Sequence, residues 1–311
     1  MPILTVDLGF EAIYVTGAGI ANMQLGAPDI GLTTLNEIAH NVTCIAEAVE
    51  IPLIVDADTG FGNTQNCYRS IRLLERSGAS AIQLEDQVFP KKCGHFSNKA
   101  IVPTVEMVNK IKAAVDARLD PEMKIIARTD ARGISGINEA LDRAAAFVEA
   151  GADATFVEAP KNLAELKAIP SSIQAPQVAN MVFGGLTPEP GREALASMGY
   201  SIVLYANAAL QTAIQAVDIT LSSLRDTGSL AECSDLLASF DKRQAVVQKE
   251  KWDEFELGKR IFWSNKIQVT EAIHNHRQNI QWLSQRSFRL GVLGNYIDRK
   301  IYGNLLGLLI N

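Results

Sequence analysis

Short apolar runs alternate with amphipathic helical patterns from residue 12 to residue 222, and this alternation constrains the fold more than any other feature. Each run is short and partly β-branched, as in parallel strands that are buried on both faces. The runs cover residues 12–16, 52–57, 81–84, 124–127, 154–157, 177–181 and 201–205. Repeated strand–helix units of this kind predict a parallel sheet with helices packed outside it.

The helical patterns between the runs include residues 35–49, 65–77, 105–118 and 137–150. Gly78, Gly151 and Gly199 each stand between a helix and the next strand, where the end of a helix favours glycine. Seven strand–helix units, spaced at roughly 20–40 residues, favour a (β/α)₈ TIM-type barrel over a doubly wound sheet. We therefore expect a barrel catalytic domain over residues 1–225 and a C-terminal helical extension over residues 226–311.

Composition excludes several classes of protein. The 311 residues carry 47% hydrophobic and 21% charged side chains, which is ordinary for a soluble globular protein. The net charge of −6 argues against binding to nucleic acid. The four cysteines have no CxxC or disulfide-like spacing, and the sequence contains neither a signal peptide nor an apolar run of membrane-spanning length. The sequence predicts a cytoplasmic protein with no membrane partner.

Acidic side chains follow the second and third predicted strands. Asp56 and Asp58 are two positions apart, so on a strand they would share one side and repel each other without a cation. With Glu85 they predict a hard, oxygen-rich site for Mg²⁺ or Mn²⁺ at the carboxyl ends of the strands. The alternative is that the aspartates cap a helix, but residues 60–62 (Gly-Phe-Gly) separate the pair from the next helix.

Residues 91–95, Lys-Lys-Cys-Gly-His, place a thiol, two cations and an imidazole together just past the acidic strand end. A thiol in such surroundings can give or take a proton near neutral pH. This clustering suits proton transfer to a carbanion or enolate beside a bound cation. The alternative interpretation is a solvated basic loop with a buried cysteine.

Several polar groups at the other strand ends are candidates for binding an anion. Arg128 could grip a carboxylate or form a structural salt bridge, and Asn180 precedes a glycine-rich turn at residues 184–188 that is either a donor site or only a turn. Hydroxyl and backbone donors follow the first strand, although a buried tyrosine is often simply packed. These donors are Tyr14, Thr16, Gly17 and Ala18.

Together these segments resemble the isocitrate lyase/phosphoenolpyruvate mutase superfamily over about residues 9 to 260. The matching segments keep one order along the chain. They are YVTGAG at 14–19, VDADTGFG at 55–62, LEDQ at 84–87, KKCGH at 91–95, ARTDA at 127–131, FVE at 156–158 and NMVFGGLTP at 180–188. The cysteine-containing segment marks the lyase branch, because the phosphonate mutases lack that cysteine.

The resemblance implies a Mg²⁺-dependent site, with Mn²⁺ as the alternative ion, in which Asp58 binds the ion directly and Asp56 and Glu85 hold its waters. It implies that Cys93 protonates the enolate left after carbon–carbon cleavage, with Arg128 and Glu158 as the other catalytic residues. The substrate-binding positions would be Tyr14, Thr16, Gly17, Ala18, Gly94, His95 and Asn180. Members of the family are homo-oligomers, which implies a tetramer here.

Two departures from the family pattern refine this expectation. The family's first strand and helix, which carry a Pro-Gly-x-Tyr-Asp stretch, have no counterpart, so we expect a barrel lacking that first strand and helix. Phe183 stands where methylisocitrate and isocitrate lyases carry a polar or acidic residue, which favours a substrate with alkyl groups over one with a third carboxylate. The tail at 263–311 lies outside the match.

The function expected first is a Mg²⁺-dependent carbon–carbon lyase. It would cleave a branched 2-hydroxy dicarboxylate such as 2,3-dimethylmalate to a 2-oxoacid such as pyruvate and a carboxylate, by retro-aldol chemistry. The near alternatives are cleavage of 2-methylisocitrate and hydrolysis of oxaloacetate. The alternative of another class is an N-terminally truncated, non-catalytic remnant that binds a metabolite.

Overall fold

The computed structural model describes residues 2–94, 96 and 98–257. The chain divides into two compact units, one ending at Ala238 and the other beginning at Ser239. The predicted domain boundary between residues 225 and 226 falls inside the last turn of a long helix and remains a prediction. The tail at 263–311 lies outside the described residues.

The first unit contains a parallel sheet whose strands follow one another in chain order. Strands β1–β5 form one ladder, β6 and β7 form a parallel pair, and a single parallel bridge between Thr155 and Gln177 connects the two. All seven predicted strands are confirmed. They are β1 Ile13–Val15, β2 Leu53–Asp56, β3 Ala81–Glu85, β4 Lys124–Thr129, β5 Ala154–Val157, β6 Val178–Asn180 and β7 Ile202–Leu204.

Helices connect the strands, and the four predicted helices are confirmed to within one residue at each end. Capping boxes begin two of them, at Thr34 and at Asn63. The helices of the first unit are α1 Pro2–Asp7, α2 Gly17–Ile20, α3 Leu35–Ala48, α4 Thr64–Arg76, α5 Thr104–Ala117, α6 Arg132–Ser135, α7 Ile137–Glu149, α8 Leu163–Ser172, α9 Arg192–Met198 and α10 Ala208–Thr227. A π-helical turn, Ala21–Leu25, follows α2, and a 3₁₀ turn, Ala231–Leu236, follows α10.

The described part of the second unit is helical, with α11 at Phe240–Val246 and α12 at Lys249–Glu256. This agrees with the expected C-terminal helices. None of the helices in the described part of the chain has both the length and the apolar character that a membrane crossing requires.

The three glycines predicted at helix ends adopt the left-handed backbone that this position requires. Gly78, Gly151 and Gly199 have φ values of +110°, +104° and +105°. A side chain is strained in this conformation, so glycine ends each helix and turns the chain into the next strand. These three predictions are confirmed.

Strands β3, β4 and β5 are buried on both faces, which is why they read as continuous apolar runs. On the outer face Ile82 and Ile125 join a cluster with helix residues such as Ile71, Ile111 and Phe147, all of them fully buried. On the other face the strands bury their own cluster, made of Ala81, Ile126, Ala154, Phe156 and Val178. Burying each large side chain contributes about 1.5–3 kcal/mol, so both layers hold the sheet.

This parallel, sequentially ordered sheet with helices outside it is that of the predicted TIM-type fold. Within the described residues no strand precedes β1, and no ladder joins β7 to β1. The expected barrel lacking a first strand is consistent with this order. Along each strand, successive side chains point alternately toward the helices and toward the opposite face of the sheet. This alternation determines which side chains can form a site.

Candidate functional site

The candidate site lies at the carboxyl ends of the strands. Its side chains point to the same side of the sheet as the cluster of Ala81, Ile126, Ala154, Phe156 and Val178, here called the inner cluster. Ile126 lies in the inner cluster, so Arg128, two residues later on β4, points to the same side. The same two-residue step leads from other inner residues to polar ones at the strand ends. These steps are Ile54 to Asp56, Gln83 to Glu85, Phe156 to Glu158 and Val178 to Asn180.

Asp56 and Asp58 are in contact, as expected. The contact is formed in a turn, however, and does not come from the alternation of side chains along a strand. Strand β2 ends at Asp56, and Asp58 has a left-handed backbone with φ +46°, so the two-residue rule of a strand does not reach it. The Asp58 N–H donates to Asp56 Oδ1 at 3.1 Å, and the Glu85 N–H donates to the Asp58 carbonyl at 2.9 Å. Hydrogen bonds donated by backbone N–H groups therefore connect all three predicted metal-binding residues, and all three are buried.

Lys91 is a site residue that the sequence patterns did not single out from its basic segment. Its Nζ lies 2.8 Å from Asp58 Oδ1 and 2.5 Å from Asp29 Oδ1, and its side chain is 3% exposed. Burial alone would lower the pKa of Lys91, but Asp56, Asp58, Glu85 and Asp29 outweigh it and raise the pKa. The ammonium is therefore charged in the folded protein and links two acidic loops.

Negative charge is concentrated around this lysine. Burial, and then the neighbouring Asp56, raise the pKa of Asp58 to about 7, although Lys91 opposes the shift. Burial also raises the pKa of Glu85 well above its ordinary value, and Glu85 Oε1 has no hydrogen-bond partner among the described residues. Buried carboxylates in this state favour a further cation, and their oxygens suit a hard divalent ion.

These carboxylates do not by themselves form a complete set of metal ligands. Within the described residues, no group of three His, Cys, Asp or Glu side chains has the spacing of a metal site. Mg²⁺ is commonly held by one or two carboxylates and keeps several waters. The donor chemistry therefore fits such an ion, and the assignment of Asp56, Asp58 and Glu85 as its ligands remains a prediction.

Arg128 connects acids that come from three strand ends. Its Nη1 lies 3.3 Å from Glu85 Oε2, its Nη2 lies 3.4 Å from Glu158 Oε2, and its Nε donates to Asp130 Oδ2 at 3.0 Å. The guanidinium also lies over the Phe156 ring, 5.2 Å from its centroid. The salt-bridge interpretation from the sequence is confirmed, and these bridges orient a guanidinium that lies at the strand ends. A grip on a substrate carboxylate remains a prediction.

Asp130 and Lys99 were not predicted as site residues. Asp130 is fully buried and accepts from Arg128 and from Lys99 Nζ, which is 2.5 Å from Asp130 Oδ1. Lys99 Nζ also donates to the carbonyl of Gly94. The segment that contains Cys93 is therefore tied to the strand ends at Lys91 on one side of the cysteine and at Lys99 on the other.

The predicted catalytic thiol lies on this segment. Cys93 is half-buried, and its N–H donates to the Asp29 carbonyl at 3.2 Å. Gly94 lies against the guanidinium of Arg128 and the side chain of Glu158, where a Cβ would come within 2.7 Å of Glu158 Cδ, so a larger residue would displace the segment. His95 lies outside the described residues.

The predicted donors after β1 lie beside the acidic cluster. Tyr14 donates to Gln83 Oε1 at 2.6 Å, and burial followed by nearby Asp56 raises its pKa. Thr16 caps the short helix α2 by accepting from Gly19 N–H, at 3.5 Å. Gly17 is buried, and a Cβ there would lie 3.2 Å from Asp58 Oδ1. Ala18 follows in the first turn, so this backbone approaches the carboxylates closely.

Asn180 lies among the polar groups at the strand ends, whereas Phe183 is exposed to solvent. Asn180 Nδ2 donates to Glu158 Oε2 at 3.3 Å, and its Oδ1 is buried with no hydrogen-bond partner in the described part of the chain. This places Asn180 with Arg128 and Glu158, as predicted. Phe183 is 82% exposed and is not packed into the strand-end cluster.

A buried ion pair between Arg143 and Asp86 supports the polar groups at the strand ends. Arg143 on α7 donates to Asp86 Oδ2 at 2.8 Å and to the Val102 carbonyl at 2.7 Å. Asp86 in turn accepts from the Thr129 hydroxyl and from the Asp130 N–H. This network fixes the chain around Arg128. The signal for it in the sequence is the position of Asp86 directly after a predicted strand.

Sequence comparison decides the family. The family described as phosphoenolpyruvate phosphomutase matches residues 3–225. A 2,3-dimethylmalate lyase of Eubacterium barkeri is 45% identical over 249 residues, which cover 80% of this chain and 86% of the relative. The chain belongs to the phosphoenolpyruvate mutase/isocitrate lyase superfamily. A 2-methylisocitrate lyase of Aeropyrum pernix is also similar, at 44% identity over 80% of this chain and 83% of that protein.

Solved structures of superfamily members agree with the fold. A 2,3-dimethylmalate lyase has a TM-score of 0.79 and 31% identity, covering 83% of this chain and 86% of that one. An oxaloacetate acetylhydrolase bound to 3,3-difluorooxaloacetate has the same TM-score and identity, with 84% and 90% coverage. A phosphonopyruvate hydrolase complex with oxalate and Mg²⁺ has a TM-score of 0.73 and 32% identity, with 82% and 89% coverage. The predicted superfamily, fold and lyase class are confirmed.

Proposed function

We propose that this superfamily member is a Mg²⁺-dependent carbon–carbon lyase that cleaves a branched 2-hydroxy dicarboxylate to a 2-oxoacid and a carboxylate. One observation carries the proposal. A buried carboxylate cluster around Asp58 and Glu85 lies beside Arg128 and is joined to the Cys93 segment through Lys91. An acid donor, a site for a hard cation and an oriented guanidinium are the groups that such a cleavage needs.

The residues suit a dicarboxylate whose charge moves during the reaction. When bound, a divalent ion would polarise the nascent carbonyl of the 2-oxoacid. Asp58, with Asp56 and Glu85, would hold that ion. A carboxylate of the site would accept the proton of the 2-hydroxyl group as the carbon–carbon bond breaks and the carbonyl forms. The cleavage leaves an enolate with concentrated negative charge, and Arg128 would stabilise that charge because its guanidinium is already oriented by surrounding acids.

Cys93 would complete the reaction by giving its proton to the enolate carbon. The segment that carries Cys93 is held to the strand ends by the Lys91–Asp58 and Lys99–Asp130 pairs, which would keep the thiol near the cleaved bond and exclude water. Tyr14, Thr16, Gly17 and Ala18 would surround the 2-oxoacid half. Gly94, His95, Asn180 and Glu158 would line the remainder of the pocket.

We propose 2,3-dimethylmalate or a close analogue as the substrate. The name of a relative at 45% identity supports this choice. Phe183, expected from the sequence to offer apolar surface to the substrate, is 82% exposed and lies outside the strand-end cluster, so it gives no support. Cleavage of 2-methylisocitrate and hydrolysis of oxaloacetate are the nearest alternatives, since similar proteins carry those names. A pocket gains only ~1–3 kcal/mol per methylene, so the preference over these acids is modest.

The test is a comparison of kcat/KM for 2,3-dimethylmalate, 2-methylisocitrate, isocitrate and oxaloacetate at saturating Mg²⁺, with a chelated control. We expect 2,3-dimethylmalate to be cleaved fastest and activity to disappear without the ion. Faster cleavage of a tricarboxylate, or faster hydrolysis of oxaloacetate, would reverse the ranking. Binding of Mg²⁺ and pyruvate without turnover of any acid would support a non-catalytic protein instead.

We also propose a cytoplasmic homo-oligomer, with the tetramer as the expected state. The exposed face of α10 supports self-association, because Ile214, Val217 and Leu221 recur every three or four residues and are 56%, 53% and 58% exposed. Such a stripe is ordinarily covered by another surface. Light scattering on the purified protein measures the mass, and a monomer at micromolar concentration would contradict this proposal.

A further inference from the structure

The turn that carries Asp58 has an unusual backbone. Asp58 and Phe61 have positive φ values of +46° and +60°, and Gly60 and Gly62 between and after them are also left-handed. Residues other than glycine avoid this region, so a turn of this shape persists only where its surroundings hold it. The side chains that hold it therefore influence where the Asp58 carboxylate lies.

Two buried side chains from outside the turn bind successive carbonyls immediately after Asp58. Lys110 Nζ on α5 donates to the Thr59 carbonyl at 3.1 Å, across 51 residues of sequence. The Ser70 hydroxyl on α4 lies 3.1 Å from the Gly60 carbonyl and 2.9 Å from the Asn66 carbonyl. Both side chains are almost fully buried, with 4% of Lys110 and 1% of Ser70 exposed.

The burial of Lys110 is what calls for a function. A buried ammonium is costly unless it is paired, and a neutral donor would satisfy a carbonyl as well. The acid nearest to it, Glu106, lies at 3.6 Å and is half exposed, so that pair offers little compensation. The interaction that fixes Lys110 in place is the one with Thr59, next to Asp58.

We propose that Lys110, assisted by Ser70, is a positioning residue for the divalent-cation site. It acts through the Thr59 carbonyl to keep the turn closed, so that the Asp58 carboxylate and the Asp58 carbonyl, which accepts from the Glu85 N–H, stay in one arrangement. This inference rests on the proposed metal dependence of the enzyme. It assigns to α4 and α5, which contribute no ligand, the control of metal affinity.

A purely structural lysine would give a different result from a positioning lysine. Loss of a structural contact lowers the free energy of unfolding and leaves the affinity of the folded protein for metal unchanged. Loss of a positioning contact weakens metal binding in protein that is still folded. Tyr200→Phe is the matched control, because the buried Tyr200 hydroxyl donates to the Leu166 carbonyl at 3.0 Å and belongs to a separate cluster.

The experiment measures Mn²⁺ binding to the full-length protein by electron paramagnetic resonance, below the melting temperature of every variant. We expect Lys110→Met to raise the Kd for Mn²⁺ by ~10–100-fold, the range found when a group that orients a metal site from outside its ligands is removed. Ser70→Ala should raise it less, Lys110→Arg should restore most of the affinity, and Tyr200→Phe should leave the Kd unchanged while lowering the melting temperature.

A second measurement is the concentration of Mg²⁺ that gives half-maximal turnover. It should rise in Lys110→Met by the same factor, with kcat at saturating Mg²⁺ within a few-fold of wild type. Equal Mn²⁺ affinities in wild type, Lys110→Met and Ser70→Ala would overturn the inference and leave the proposed function intact. Wild-type protein that binds no Mn²⁺ would overturn the proposed metal dependence, and this inference with it.

Discussion

Lys91 Nζ lies 2.8 Å from Asp58 Oδ1, so a buried ammonium neutralises part of the acidic cluster before any metal binds. The same nitrogen contacts Asp29, which comes from the loop between α2 and α3. The cluster would otherwise hold several carboxylates close together without water, which strongly disfavours their charged forms. Lys91 is two residues before Cys93 in the chain, and its ion pairs hold the Cys93 segment against these carboxylates.

Replacement of Lys91 by methionine should lower kcat/KM by at least ~10²-fold, because a small displacement of a catalytic group has an effect of that size. Methionine keeps the apolar stem but removes the charge shared by Asp58 and Asp29. Steady-state formation of the 2-oxoacid product measures the effect. Lys92→Met is the matched control, since within the described residues Lys92 Nζ donates to the Asn98 carbonyl at an exposed position, and its kcat/KM should be unchanged.

Replacement of Cys93 by serine separates a catalytic thiol from a structural one. Serine is nearly isosteric but a much weaker acid, so kcat should fall by ~10²–10⁴-fold while binding of Mg²⁺ and pyruvate is retained. Cys44→Ser is the control, because Cys44 is exposed on α3. Unchanged turnover in Cys93→Ser would remove the thiol from the mechanism.

The strands and most of the site could be predicted from the sequence because both follow from one periodicity. Alternation along β4 places Ile126 and then Arg128 on the inner side, and the neighbouring strands repeat the pattern. The contacts that complete the site join residues far apart in the chain. Lys91 and Asp29 are 62 positions apart, and no local pattern indicates which carboxylate a lysine will reach.

The turn at Asp58 shows a further limit. The sequence predicts that Asp56 and Asp58 lie together, because residues two positions apart on a strand share one side. The strand ends at Asp56, and the contact depends on a left-handed residue and on the Asp58 N–H. Positive φ in a non-glycine residue depends on tertiary contacts, so the sequence predicted the right pair for an incomplete reason.

The acid dependence of stability should include a contribution from Asp130. Burial alone would raise the pKa of Asp130, but Arg128 and Lys99 outweigh it and lower the pKa. A group with a lowered pKa stabilises the fold above its unfolded pKa of ~3.9 and loses that contribution as the pH falls toward its folded pKa. Asp130→Asn should therefore be less stable than wild type at pH 6, and the difference should shrink below pH ~4.

Urea unfolding of both proteins at a series of pH values, followed by circular dichroism, measures this difference. Asp153→Asn is a suitable control, because Asp153 also forms an arginine pair, with Arg118 at 2.8 Å, but is 27% exposed. Its pair is partly screened by water, so Asp153→Asn should lower the free energy of unfolding less than Asp130→Asn does at pH 6. A constant difference between wild type and Asp130→Asn from pH 6 to pH 3.5 would contradict the prediction.

The Arg143–Asp86 pair should be the largest single ionic contribution to stability near the site. Both side chains are buried, with 4% and 0% exposed, and removal of one partner leaves the other charge without compensation. Arg143→Met should lower the free energy of unfolding by about 3–5 kcal/mol, the usual result of breaking a buried pair. Arg225→Met is the control, because Arg225 pairs with Asp226 at a largely exposed position and its loss should leave the free energy of unfolding almost unchanged. If urea denaturation gives the same midpoint for both variants, the buried network does not hold the strand ends in place.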